Sequence, residues 1–180
     1  MKRLTLLRHA KSGEDASPAR DFDRQLNAKG RRAARAMGRH MQEERLHFDS
    51  VLASPAARVE ATLAEVASGY GQSIAPAWER RLYLASTADL LDIVHDAPDT
   101  AESLLLVGHN PGLHQLALLL IAPGRESGAR NRVEEKYPTA SLAEIVFEVD
   151  RWADIAAGGG TLARFVRPRD IDPTLGPDTD

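Results

Sequence analysis

The chain has 180 residues, of which 43% are hydrophobic, 27% charged and only 5% aromatic, a composition that fits one folded domain with an aliphatic core and excludes disorder or a fibre. Its 23 Lys and Arg against 26 Asp and Glu leave a formal charge of −3, so no global positive field recruits nucleic acid or an anionic membrane. The absence of cysteine removes disulfides, thiolate zinc sites, iron–sulfur clusters and a cysteine nucleophile together; no apolar run is long enough for a membrane span or signal-peptide core, and the expected location is cytoplasmic.

Leu4 to Leu7 reads as a buried strand that stops at Arg8-His9 and feeds a loop from Ala10 to Ala19. Asn27 then precedes a helix from Ala28 to about Arg45, with Ala33, Ala34, Met37 and Met41 on one face and Arg31, Arg35 and Arg39 opposite. Those arginines, with Arg32, form a solvated face or a docking surface for an acidic partner. Phe48 to Ala53 is strand-like, and Ser54-Pro55 is the signal of an N-cap and first helical residue, opening a helix that runs to Ser68 and closes at Gly69 and Gly71. Ile74 to Ala77 forms a short strand, and Ser86 or Thr87 caps a helix from Ala88 to Asp96.

Ser103 to Gly108 is continuously apolar, as expected of a parallel strand covered on both faces, and it stops at His109. Leu113 to Ile121 is a buried helix, and Leu142 to Val149 pairs with Thr161 to Val166 in a hairpin around Gly158 to Gly160. The acidic, proline-containing stretch at the end reads as loosely draped, which gives a domain over 1–169 and a flexible tail over 170–180. This alternation specifies a single three-layer α/β/α domain with a mostly parallel central sheet, whose ligands sit at the carboxyl ends of the strands.

Four groups fall at such ends or at helix starts: Arg8-His9, Arg24, Ser54 through Arg58, and His109. Each alone has an ordinary explanation, as a surface imidazole, a solvated charge or a helix cap. Together they match one chemistry. Phosphoryl transfer depends on positioning and on compensating charge over the equatorial oxygens, which arginine forks supply. A neutral imidazole can attack phosphorus in line, and a second, protonated one can donate to an equatorial oxygen. Metal binding is the poorer reading: His109 and His114, and likewise His40 and His47, lack the i, i+4 spacing of a helical metal pair, and no glycine-rich phosphate loop is present. No cofactor or metal is expected.

The order L-L-R-H-A-x-S (Leu6 to Ser12), R-x-L-x-x-x-G (Arg24 to Gly30), S-P-x-x-R (Ser54 to Arg58) and V-G-H-N-P (Val107 to Pro111) resembles the histidine phosphatase, or phosphoglycerate mutase-like, superfamily. The short length, Lys136 to Leu142, Trp152 and Leu162 to Arg169 are most similar to its SixA-type branch of phosphohistidine phosphatases. The resemblance spans residues 3 to 169 and implies a phosphoglycerate mutase-like fold and a metal-independent phosphatase acting through a phosphohistidine on His9. It further implies that Arg8 and Arg58 line the phosphate pocket, that His109 is the second histidine, and that Arg24 contributes at its rim. Ser12 and Asn110 either bind phosphate or hold their own loops.

Two departures stand out. The superfamily commonly has glycine where Ala10 follows His9, and no acidic motif identifies a general acid. Glu79 is the first candidate and Asp15 the second, although Glu79 can equally pair on the surface with Arg80 or Arg81. A phosphorus–nitrogen bond to imidazole leaves more readily than an alkoxide, and a chain this short has little material for a lid. Both considerations favour a phosphorylated protein, such as a histidine-containing phosphotransfer domain, over a small phosphorylated metabolite. A phosphatase or mutase of small esters, or a non-catalytic phosphate-binding signalling module, is the alternative, and the oligomeric state is open.

Overall fold

The computed structural model describes residues 1–13, 20–124 and 128–176. Six strands form one sheet in the order β3-β2-β4-β1-β5-β6. β1 (Lys2–Arg8), β2 (Ser50–Ala53), β3 (Ala77–Trp78) and β4 (Ser103–Gly108) are parallel, and β5 (Leu142–Phe147) and β6 (Gly160–Val166) add an antiparallel hairpin beside β1. Period-two alternation divides the apolar residues between the faces. Leu4, Leu6, Leu104 and Leu106 point one way, against α3 (Thr87–His95), α4 (Gly112–Leu120) and Val133 of α5 (Gly128–Glu135). Leu7, Leu105 and Val107 point the other way, against α1 (Ala28–Glu43) and α2 (Ala57–Tyr70). The result is the expected three-layer domain. Among the described residues no helix is long and apolar enough to cross a membrane.

Several boundaries differ from the sequence reading, each for a local reason. α2 starts at Ala57 with Ala56 as its uncapped N-cap, because the Ser54 hydroxyl is engaged elsewhere. Gly69 does not end α2 but lies inside it, where an added Cβ would stand 2.0 Å from the Arg35 carbonyl oxygen; the residue lets α1 and α2 approach backbone to backbone. The helix ends instead at Gly71, at φ 78°. The third strand is Ala77–Trp78 rather than Ile74 to Ala77, and β5 stops at Phe147 rather than Val149. α5 was not expected at all; it is short and polar, with Val133 its buried residue.

The loose tail expected from residue 170 is ordered through 176. α6 (Pro168–Ile171) is followed by a 3-10 turn at Pro173–Leu175, whose Leu175 is buried against the α1 and α2 side of the core. Residues 177–180 lie outside the described residues.

Candidate active site

Strand register creates the site. Arg8 of β1 is opposite Gly108 of β4, so His9 and His109 leave adjacent parallel strands side by side, and the His9 amide donates to the Gly108 carbonyl at 3.1 Å. β2 brings in the next component: the Ser54 amide donates to the Val107 carbonyl at 3.1 Å, which places the Ser54 hydroxyl at His109. The two imidazole centroids are 5.3 Å apart. Arg58, on the first turn of α2, is buried and close enough for its charge to act on both rings, as does that of Arg8.

Hydrogen bonds fix the chemistry of each ring. Nδ1 of His9 lies 2.7 Å from the Ala10 carbonyl oxygen, which can only accept. Nδ1 therefore carries the proton, and in the neutral ring Nε2 holds a bare lone pair. Burial, reinforced by the nearby Arg8, His109 and Arg58 charges, lowers the His9 pKa to about 3, so the ring is neutral across the physiological range.

His109 is arranged differently. Its Nε2 lies 2.8 Å from Ser54 Oγ, which also accepts from the Ala56 amide at 3.3 Å. With one lone pair of Ser54 Oγ engaged by that amide, its hydroxyl hydrogen can be given to Nε2, the arrangement that puts the ring hydrogen on Nδ1. That Nδ1 is buried with no hydrogen-bond partner among the described residues, the condition of a donor built for a ligand. Burial and the Arg58 charge lower the His109 pKa to about 4. His109 is therefore neutral rather than protonated as expected, and donation from Nδ1 requires no positive charge.

Asp21 and Tyr83 were not anticipated from sequence. Asp21 opens a 3-10 turn (Asp21–Asp23); its backbone carbonyl accepts from Arg58 Nη1 at 2.8 Å and its Oδ2 from Arg58 Nη2 at 3.0 Å. The Tyr83 hydroxyl donates to the same Oδ2 at 2.6 Å, and Arg24 Nη1 to Oδ1 at 3.3 Å. The Tyr83 hydroxyl and then Arg58 hold the Asp21 pKa at about 2. Tyr83 also stands edge-on to His109, with centroids 5.4 Å apart. A usable signal existed in the sequence: an acid three residues before the motif arginine.

The other candidates have defined places. Ser12 Oγ accepts from Arg24 Nη2 at 2.6 Å, so Ser12 aims Arg24. Asn110 Nδ2 and Arg8 Nη1 both donate to the Tyr137 carbonyl, each at 3.0 Å, and Asn110 Oδ1 accepts from the His114 amide; Asn110 holds its turn. Glu79 is not brought into the constellation. Its carboxylate accepts from the Arg81 amide and guanidinium, which hold its pKa below the usual range, so it is an ionised surface partner and the general-acid expectation for it is replaced. Asp15 lies outside the described residues.

Ala10 is accommodated without a left-handed backbone: it is buried, its φ is not positive, and its amide donates to Thr62 Oγ1 at 2.9 Å. Two glycines frame the site by close approach. A Cβ on Gly30 would stand 2.1 Å from the Lys11 carbonyl, and one on Gly112 would stand 2.2 Å from that of Ala85. α1 and the Tyr83 loop can therefore close on the strand ends.

A family model described as histidine phosphatase superfamily (branch 1) matches residues 4–82. The structure of the SixA protein of Nakamurella multipartitia, a proposed phosphohistidine phosphatase, superposes with a TM-score of 0.78 at 30% identity, covering 93% of this chain and 96% of that one. The chain belongs to the histidine phosphatase superfamily, in its SixA-type group. The corresponding SixA protein of Agrobacterium tumefaciens matches this histidine phosphatase with a TM-score of 0.77 at 27% identity, over 93% of this chain and 98% of that one. An uncharacterised protein of Mycobacterium tuberculosis is 33% identical over 164 residues, 91% of this chain and 100% of its own length. Membership makes the protein a phosphatase, and the neutral imidazole beside clustered guanidiniums is an arrangement able to receive a phosphoryl group.

Proposed function

We propose that this phosphatase hydrolyses phosphohistidine on a protein substrate through a phosphoryl group carried on His9. Nε2 of His9 attacks phosphorus and the phosphorus–nitrogen bond of the substrate breaks, its electron pair passing to the departing ring nitrogen. Arg8 and Arg58 compensate the equatorial oxygens, with Arg24 at the rim, and His109 donates from Nδ1. Water then attacks phosphorus, the bond to Nε2 breaks, the proton lost by water passes to solvent or phosphate, and His9 returns neutral with Nδ1–H on the Ala10 carbonyl.

The observation that carries the substrate choice is the state of the nearby acid. Among the described residues, the carboxylate that touches this constellation is Asp21, and it is ionised and surrounded by donors. An alkoxide leaving group needs a proton from such a residue, whereas a departing imidazole already protonated on its far nitrogen does not. The test is turnover of a phosphohistidine peptide against a phosphoserine peptide, an ester whose alkoxide leaving group needs the proton. We expect kcat/KM at least about tenfold higher on the former, roughly 1.4 kcal/mol of transition-state preference. Equal or faster turnover of the ester overturns the assignment.

A further inference from the structure

Phosphoryl exchange between two imidazoles is chemically symmetric. The attacking ring must keep a proton on the nitrogen far from phosphorus, and so must the leaving ring if it is to depart neutral. On the attacking side the Ala10 carbonyl holds that proton on Nδ1 of His9. The substrate ring needs an equivalent acceptor at the mouth of the site.

The mouth contains one with spare capacity. The side chain of Asp21 is 43% exposed, and its two oxygens are used unequally. Oδ2 accepts from Arg58 and Tyr83, while Oδ1 accepts only a long 3.3 Å bond from Arg24 among the described residues. A carboxylate oxygen has room for a further donor. Aromatic surface adjoins it: Phe22, the next residue, stands edge-on to Tyr83 with centroids 5.1 Å apart, and Tyr83 stands edge-on to His109. An anionic oxygen beside aromatic rings suits a flat cation.

Resting on the phosphohistidine reading, we infer that Asp21, with Phe22 and Tyr83, receives the phosphorylated imidazolium ring of the substrate, accepting the N–H on the nitrogen that does not carry phosphorus, so that the ring departs as neutral imidazole, and so selects phosphorus–nitrogen over phosphorus–oxygen substrates. The phosphorus–nitrogen electron pair returns to the other ring nitrogen as the bond breaks, the retained proton leaves with the ring, and no proton is drawn from the protein. Among the described residues, the charged and titratable groups facing Asp21 are Arg24 beyond its own turn, Arg58 of α2, Tyr83 and, through its ring, His109. An oxygen ester offers Asp21 no proton to accept, and its leaving alkoxide would meet a like charge.

Asp21→Asn removes the charge and keeps the shape. Because Asp21 also holds Arg58, turnover of p-nitrophenyl phosphate measures any general damage to the pocket. We expect kcat/KM for a phosphohistidine peptide to fall about tenfold further than that for p-nitrophenyl phosphate. The alkaline limb of kcat on the peptide should move to lower pH, because the bound imidazolium loses its counter-charge. Asp21→Glu, which restores the charge, should recover most of the substrate ratio. Equal losses on both substrates with an unmoved alkaline limb, or a ratio unrestored by glutamate, overturn the inference and leave the proposed function standing. Failure of the parent enzyme to turn over the phosphohistidine peptide overturns both.

Discussion

The two ends of the sheet both gather arginines and carboxylates, but they balance them differently. Towards the amino-terminal ends of β1 and β4, a cleft of about 390 Å³ is lined by Arg3, Arg164, Glu44 and Glu144. There Arg3 Nη1 meets Glu144 at 3.0 Å, Arg164 Nη1 meets Glu44 at 3.1 Å, and Arg164 Nε lies 3.6 Å from Glu144. Arg3 and Arg164 are each answered by an anion. At the carboxyl end, among the described residues, Arg24 and Arg58 share the carboxylate of Asp21, and the adjacent His109 keeps a buried nitrogen without a partner. An arginine cluster is therefore not in itself a site. What marks the carboxyl end is guanidinium charge gathered beside neutral imidazoles, a state that an incoming phosphoryl group completes.

That contrast can be broken at either end. Of the changes that bear on this contrast, the largest effect is expected from Arg58→Ala, which removes a buried guanidinium serving both histidines: kcat/KM should fall on the order of a hundredfold or more in steady-state assays. Retention of near-parental turnover would mean that the guanidinium charge there is incidental. Ser54→Ala is expected to cost about tenfold in kcat with little change in KM, because it releases the His109 tautomer without touching the anion-binding groups. A loss confined to KM would place Ser54 in binding instead. At the amino end, Glu144→Gln should lower stability by about 1–2 kcal/mol, discounted because its partners are partly exposed, and shift thermal unfolding down by roughly 2–8 °C. Turnover below the melting range should stay within about twofold of the parent; a large loss there would show that the two ends are coupled.

The histidines were readable from sequence because an apolar run that stops at Arg8-His9, and another that stops at His109, must place those residues at strand ends whatever the strand order. Only the register of β1 on β4 reveals that the two ends are adjacent. Ser54 was located correctly but assigned the wrong work, since a Ser-Pro pair before a helix is also the signature of an N-cap. Asp21 and Tyr83 lie in a 3-10 turn and a loop, where no periodicity exists to mark them, and their importance comes from contacts to Arg58 across 37 residues and between each other across 62. The ordered end of the chain was missed for a similar reason: Leu175 is a lone apolar residue among Asp, Pro and Gly, and its burial depends on a groove formed by distant segments.

The assignment of His9 as the phosphoryl carrier can be tested by rapid acid-free quenching during turnover of a substrate labelled in its phosphoryl group, with the modified residue mapped by mass spectrometry. The expected result is label on Nε2 of His9, none in His9→Ala, and turnover in that variant reduced on the order of a thousandfold or more. Label on His109 or elsewhere, or parental turnover in His9→Ala, would contradict the account at its centre.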